Sequence, residues 1–290
     1  GGQLVFAPRR IEQNLPALAE IIDQRQVTHT LLLPSLYSAI LRFLPASQLN
    51  SIKAVIVAGE ACPSKLISTH FEYLPQARLY NEYGPTEATV WCSVAELSLQ
   101  NSTGEIPIGR PIPGSELFIL DENGRQQPIG VPGELYVGGP GLTGGYWRRP
   151  DLTDDRFVDH PFSSGEKLYR SGELTRFFLV GQIDFLGRAD EQVKVRGYRI
   201  ELGEIESIIR AYLASASTRD PTASDSVEGH VAVSLSNAGQ LVTFIAQDFE
   251  ENKLRKDLAS RLPGYMVPAH YVRIEEIPHL PNGKIDRKSL

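Results

Sequence analysis

The sequence predicts an α/β core that gives way to β-rich sequence and then to a separate α+β unit, and three observations predict it. Strand-like and helix-like segments alternate from Val27 to Tyr80, the rhythm of a parallel sheet with crossover helices. From Val94 to about Val158, short β runs are separated by turn sequences such as Asp121-Glu122-Asn123-Gly124 and Val131-Pro132-Gly133, which suits a small antiparallel or barrel-like unit. The last hundred residues then mix helices and strands. A chain of 290 residues is long for one core and fits about two domains. The expected division is 1–93 for the α/β part, 94–189 for the β-rich unit and 190–290 for a compact α+β unit of its own.

Each element follows from its pattern. Leu4 to Ala7 reads as a strand. Asn14 to Gln24 has Leu15, Leu18, Ile21 and Ile22 at helical spacing. Val27 to Leu33 and Ile52 to Ala58 read as buried strands, each followed by a helix: Pro34 to Leu44, with proline in the first turn where it is tolerated, and Pro63 to Phe71. Ala77 to Tyr80 is the next strand. Leu117 to Leu120, Glu134 to Val137, Tyr169 to Arg176 and Gln182 to Arg188 are further β runs. Gln192 to Val195 is a short strand before a bend at Gly197. Glu201 to Tyr212 is an amphipathic helix with Leu202, Ile205, Ile208 and Ile209 on one side. Ala214 to Gly229, rich in Ala, Ser, Thr and Asp, reads as a mobile loop. His230 to Leu235 and Gln240 to Gln247 pair, Glu250 to Arg261 is a helix, and His270 to Ile274 is a last strand. An Asn282-Gly283 turn presents Lys284.

Composition excludes several function classes. The net charge is −6 and no Lys/Arg cluster is visible, which argues against a nucleic-acid binder. Apolar runs stay far below the roughly 18 residues of a membrane span. Cys62 and Cys92 lack CxxC spacing, so a reduced, cytoplasmic setting is expected. Gly1-Gly2 leads straight into strand-like sequence, so the chain reads as a piece of something longer.

The stretch Asn81-Glu82-Tyr83-Gly84-Pro85-Thr86-Glu87 carries the chemistry. It follows a strand, and Gly84-Pro85 forces a turn. The turn is expected to throw Tyr83, Thr86 and Glu87 outward. An aromatic face, a hydroxyl and a carboxylate suit a nucleotide with its metal; the plainer alternative is an ordinary turn with a solvated Glu. In parallel sheets ligands sit beyond the carboxyl ends of strands, and the Gly59-Glu60-Ala61 turn lies at another such end. The Gly138 to Gly145 run lacks the Lys-Ser/Thr ending of a nucleotide loop and is read as structural.

Five ordered pieces then agree: Asn81 to Glu87; Gly133-Glu134-Leu135 through Gly145-Tyr146; Tyr169-Arg170-Ser171-Gly172-Glu173; Gly187-Arg188-Ala189-Asp190 through Lys194-Val195-Arg196-Gly197; and Asn282 to Lys288. With them the chain resembles the adenylation domain of nonribosomal peptide synthetases, within the acyl-adenylate-forming enzymes, over its C-terminal portion. The resemblance implies ATP-dependent activation of an amino acid as aminoacyl-AMP, then transfer to the phosphopantetheine thiol of a peptidyl carrier protein. It implies Mg2+ on Glu87, phosphate on Thr86, adenine on Tyr83 and on the Gly59-Glu60-Ala61 turn, a nucleotide contact at Asn81, ribose on Glu173 and Arg188, and Lys284 between carboxylate and α-phosphate. Asp190 matches the hinge about which the C-terminal unit rotates. Leu31, Ile56, Ala58, Glu82, Val90 and Trp91 match the substrate pocket, and Glu82 is expected to meet either a basic or hydroxylated substrate group or the neighbouring backbone. Carrier protein and condensation domain are the implied partners, on the same natural polypeptide.

Departures qualify the resemblance. Glu173 stands where the family usually has Asp, one methylene shorter. Gly144 replaces a residue often basic. The Ser/Thr/Gly-rich phosphate loop and the Asp that grips the substrate amino group are absent from the sequence, so weak or no adenylation by the chain alone is expected. An acyl-CoA or aryl-acid ligase of the same superfamily, or a non-catalytic carrier-docking remnant, are the alternatives.

Overall fold

The computed structural model describes residues 2–104, 106–178, 181–190, 192–195, 197–216, 230–236, 238–280 and 284–290. By internal contacts the chain divides into two compact units, Gly1–Asp190 and Glu191–Leu290, and each is described by itself.

In the first unit the Asn14 side chain accepts the Ala17 N–H and caps α1 (Leu15–Gln24), satisfying one of the orphan donors at a helix start. Strand β1 (His29–Leu32), helix α2 (Pro34–Phe43), strand β2 (Ala54–Ala58), helix α3 (Ser64–Tyr73) and strand β3 (Arg78–Tyr83) follow. β1, β2 and β3 pair in parallel in that order. Right-handed crossovers that step in one direction along a sheet place their helices on one face. That face is the core: Val55, Val57 and Leu79 pack with Ile40, Leu41 and Ile67. Inside it Tyr37 Oη donates to Nδ1 of buried His70, whose Nε2 donates to the Ala77 carbonyl.

Strands β4 (Ser93–Leu97) and β5 (Arg110–Pro111) extend this sheet in antiparallel fashion. The change of texture expected at Val94 therefore falls later, because a hairpin returns the chain onto β3. A second, antiparallel sheet follows, ordered β10-β9-β7-β6 with β8 on β9; these strands are β6 (Glu116–Leu120), β7 (Gly133–Gly138), β8 (Phe157–Asp159), β9 (Lys167–Phe177) and β10 (Ile183–Arg188). Ile119, Leu135, Val137, Tyr169 and Ile183 form its core with Tyr83 and Cys92.

In the second unit β11 (Gln192–Val195) and β12 (Tyr198–Glu201) form a hairpin. Helix α5 (Leu202–Ala216), the sheet of β13 (Val231–Leu235), β14 (Leu241–Ile245) and β15 (His270–Arg273), and helix α6 (Glu251–Arg261) share one core.

Three expectations are corrected. Leu4 to Ala7 is not a strand; Leu4 and Phe6 are exposed, and β-propensity without a partner strand forms no ladder. Helix α4 (Pro150–Arg156) and strand β12 lie where no element was expected. The helix after Gly197 begins at Leu202 and runs through Ala216, past the expected loop start at Ala214. The rest of that loop, and the Asn282-Gly283 turn, lie outside the described residues. No helix among the described residues is long and apolar enough to cross a membrane. Burial pushes the thiols of the free cysteines, Cys62 and Cys92, up to about 12.

Gly84 and Gly144 make a matched test. A Cβ on Gly84 would lie 2.4 Å from Trp91 Cα and 2.7 Å from Cys92 N, whereas one on Gly144 meets nothing within 4 Å. Gly84→Ala is expected to cost more than about 2 kcal/mol and Gly144→Ala less than about 0.5 kcal/mol. Urea unfolding followed by tryptophan fluorescence checks this, because both tryptophans, Trp91 and Trp147, lie in the first unit.

Candidate active site

β3 runs through Tyr83, three residues beyond the expected end at Tyr80. Strand alternation then sorts the motif. Leu79, Asn81 and Tyr83 are buried on one side, while Tyr80 and Glu82 face the other. The Cys92 N–H donates to the Tyr83 carbonyl at 2.8 Å and closes the loop; the bare Gly84 lets residues 90–92 pass close by. Thr86–Ala88 forms a single 3-10 turn. Thr86 is exposed, but Glu87 is 8% and Tyr83 7% exposed. The expected outward throw of all three is thus corrected: the turn presents Thr86, the strand turns Tyr83 inward, and Glu87 folds under the neighbouring loop.

That neighbour is the Gly-rich run. The Thr143 N–H donates to the Glu87 carbonyl at 2.8 Å, Thr89 Oγ1 donates to the Gly141 carbonyl at 2.6 Å, and Tyr146 Oη donates to Glu87 Oε1 at 2.5 Å. Gly145, at φ +113°, brings the Tyr146 N–H to Thr153 Oγ1 at 2.9 Å; a Cβ there would meet Thr153 Cγ2 at 2.4 Å. Burial, then the Glu87 bond, push the Tyr146 phenol up. Tyr146 was not among the expected site residues. Its signal is a tyrosine directly after the glycine that ends the run.

Tyr83 reaches a second network. Its hydroxyl donates to Glu173 Oε2, and burial followed by the Glu173 charge holds the phenol well above its usual range. Glu173 Oε1 accepts from Arg188 Nη1 at 3.0 Å. Arg188 also grips Asp190 with Nε to Oδ1 at 2.5 Å and Nη2 to Oδ2 at 2.7 Å, the strong bidentate form of the ion pair. Arg188 Nη2 donates as well to the Ser171 carbonyl at 3.1 Å. Gly172, at φ +74°, leaves room for this pair: a Cβ would lie 2.4 Å from Asp190 Oδ2.

Other expected nucleotide residues have structural partners. Asn81 Nδ2 donates to the Pro107 carbonyl at 2.9 Å. Glu60 Oε2 accepts the Ser35 N–H at 3.1 Å, at the start of α2, where a carboxylate complements the helix dipole. Gly59, at φ +83°, and Ala61 are exposed beside it.

Four of the six pocket residues share the sheet face opposite the helices. Register pairs Leu31 with Ile56 and Ala58 with Glu82, and all four are half-buried or exposed. Trp91 is half-buried and Val90 is 59% exposed. Val90 holds φ +80°, a left-handed conformation that is strained for a β-branched residue. Buried Oε2 of Glu82 has no hydrogen-bond partner among the described residues, and burial raises the Glu82 carboxyl above its usual range.

Lys284 belongs to the second unit and is exposed; its carbonyl accepts the Leu280 N–H at 2.7 Å. Arg287, three residues on, anchors this tail: Nη1 donates to Oε1 of buried Glu206 at 2.8 Å and to the Val233 carbonyl at 2.7 Å. Glu206 also accepts the Val233 N–H at 2.8 Å and Arg210 Nη2 at 3.1 Å.

The donor set fits a hard cation at Glu87. Its carboxylate is buried, fixed by a phenol and one residue from an exposed hydroxyl, and Mg2+ takes one or two carboxylates plus phosphate oxygens. Another group, Glu116, His160 and Glu166, brings its ligand atoms within 4.8 Å of one another. There His160 Nδ1 accepts the Phe162 N–H, so in the neutral ring Nε2 carries the proton and has no lone pair for a metal.

Comparison with known proteins places this geometry. Residues 1–147 match the family model described as AMP-binding enzyme. The chain belongs to the AMP-binding enzyme family. It is 38% identical over 291 residues to tyrocidine synthase 3 of Brevibacillus parabrevis and 39% identical over 292 residues to bacitracin synthase 3 of Bacillus licheniformis, in each case covering all of this chain and 4% of the relative. Among solved structures it is similar to the Vibrio cholerae adenylation domain AlmE in complex with glycyl-adenosine-5'-phosphate, with a TM-score of 0.79 and 28% identity over 97% of this chain and 52% of that one. PA1221, an NRPS protein containing adenylation and PCP domains, superposes in its holo form with a TM-score of 0.75 and 27% identity, over 95% of this chain and 46% of that one. The chain thus spans a small part of these curated relatives and about half of these solved chains.

Two outcomes test the side chains that carry this arrangement. A carboxyl whose folded-state pKa is raised gives stability that is present below its unfolded pKa of about 4.3 and lost as pH rises through the folded value. Glu82→Gln should therefore match the parent at pH 4 and exceed it at pH 8 in urea midpoint by tryptophan fluorescence. Glu206→Ala removes the acceptor shared by Arg287, Arg210 and the Val233 N–H and should destabilise the second unit by about 3 kcal/mol, measured as faster hydrogen exchange at the amides of β14, away from the deleted bonds.

Proposed function

We propose that this chain is part of an amino-acid-adenylating domain of a nonribosomal peptide synthetase. The supporting observation is the Thr86–Glu87 turn at the end of β3, a buried and fixed carboxylate beside an exposed hydroxyl, within a chain similar along its length to an adenylation domain holding an aminoacyl adenylate. In the reaction an amino-acid carboxylate oxygen bonds to the α-phosphorus of ATP and the bond to pyrophosphate breaks. A bound Mg2+ supplies charge neutralisation at the phosphates, and Glu87 holds it. Thr86 donates its hydroxyl to a phosphate oxygen. Tyr83 borders the adenine together with the Gly59-Glu60-Ala61 turn, and Glu173 and Arg188 border the ribose. Lys284 offsets the charge that builds between carboxylate and α-phosphate, so catalysis is positioning and electrostatics. The half-buried sheet face of Leu31, Ile56, Ala58 and Glu82, with Val90 and Trp91, receives the substrate side chain, and the buried Glu82 Oε2, without a hydrogen-bond partner among the described residues, favours one that supplies a donor.

The acyl group then passes to the phosphopantetheine thiol of a carrier protein, and AMP leaves. Asp190 is the hinge for the change between half-reactions; the boundary between the two units at Asp190 supports that. The carrier protein and a condensation domain, on the same polypeptide, are this chain's partners.

The chain should show an ATP- and Mg2+-dependent rise in melting temperature that Glu87→Gln abolishes, and its amino-acid-dependent ATP–pyrophosphate exchange should be slow beside that of a complete adenylation domain. No nucleotide-dependent shift would sink the assignment. Lys284→Ala should lower the exchange about 10²–10³-fold with unchanged AMP affinity.

A further inference from the structure

We propose that Tyr146 is a positioning residue for the metal carboxylate: its phenol holds Glu87 in the pose that takes Mg2+, and the glycine-rich run delivers that phenol. The role rests on the metal and nucleotide site proposed above, and it draws into that site a run read from sequence as structural. Run and turn hold one another through the backbone, because the Thr143 N–H donates to the Glu87 carbonyl at 2.8 Å and Thr89 Oγ1 donates to the Gly141 carbonyl at 2.6 Å. Tyr146 Oη then donates to Glu87 Oε1 at 2.5 Å. The phenol is itself held from behind. The Tyr146 N–H donates to Thr153 Oγ1 on α4 at 2.9 Å. Its half-buried ring meets Phe157 edge-on, 5.7 Å between centroids, and packs on the core of the antiparallel sheet.

A hard cation makes this rigidity count. Mg2+ demands near-ideal octahedral geometry, so a carboxylate that wanders loses affinity for it. Groups hydrogen-bonded to a metal's ligands are worth about 10–100-fold in metal affinity or activity. Burial, then the Glu87 bond, keep the proton on the phenol, so it stays a donor to the carboxylate. Phenylalanine at 146 would fill the same space and keep the contact with Phe157, but it would take a donor away from a buried carboxylate. The hydroxyl and the ring therefore do separable things, and only the hydroxyl acts on the metal.

The test compares the full chain with its Tyr146→Phe variant by titration calorimetry, with ATP in excess Mg2+, ATP in EDTA and AMP in EDTA. Tyr146→Phe should weaken ATP in Mg2+ by tenfold or more, on the order of the loss expected for a group that orients a metal ligand, and leave both metal-free affinities unchanged. Equal losses for all three ligands would overturn the proposal, because they are the signature of a residue that only packs. No loss for any of them would overturn it too. If the Phe variant fails to fold, Thr153→Val decides in its place: it removes the acceptor of the Tyr146 N–H, leaves the phenol intact, and should weaken ATP in Mg2+ alone. A parent chain that binds ATP no better in Mg2+ than in EDTA sinks the metal site proposed above, and this role with it. A parent that gains from Mg2+ while the variant keeps the whole gain sinks this role alone.

Discussion

The two-residue period of β3 is the constraint on which the site depends. It forces Glu82 and Tyr83, neighbours in sequence, onto opposite faces of one sheet. Glu82 joins the half-covered face with Leu31, Ile56 and Ala58, while Tyr83 enters the core of the β-rich part and meets Glu173. One strand end therefore serves two regions at once. A one-residue slip in its register would exchange them. The antiparallel pairing of β3 with β4 and the Cys92 N–H bond to the Tyr83 carbonyl hold that register.

Buried charge is handled by one rule throughout. Each buried carboxylate of the described networks has at least one donor from a distant chain segment: Glu87 from Tyr146, Glu173 from Tyr83, and Glu206 from Val233 and Arg287, with Arg210 one helical turn away. A buried charge without such partners is costly, so these contacts fix the loops and tails that carry the chemistry. Glu82 Oε2 departs from that rule among the described residues, and burial raises its carboxyl above the usual range.

Much of the fold was legible because periodicity is local. α1, α2 and α3 show helical spacing in Leu15, Leu18 and Ile22, in Tyr37, Ile40 and Leu41, and in Leu66, Ile67 and His70, and β2 is a run of small and branched apolar residues. The parts that escaped depend on partners. Leu4 to Ala7 has strand-like residues and no neighbouring strand. β3 extends through Tyr83 because β4 comes back to pair with it, a fact held in Ser93 to Leu97 rather than in the motif. The site followed the same division. The residue types near position 85 were readable, but Tyr146 lies 59 residues from Glu87 and Glu173 lies 90 from Tyr83, and no local pattern announces such pairings. Glu60 and Asn81 show the converse: their place at strand ends suggested ligands, and their side chains serve a helix start and a backbone carbonyl.

The shielded sulfurs have a practical consequence. Burial pushes Cys62 and Cys92 up to about 12, which disfavours the thiolate, the form that alkylates. A maleimide dye would therefore pass over the native chain and select a cysteine introduced at the surface. The molecule comes ready for single-site fluorophore attachment at such an introduced cysteine.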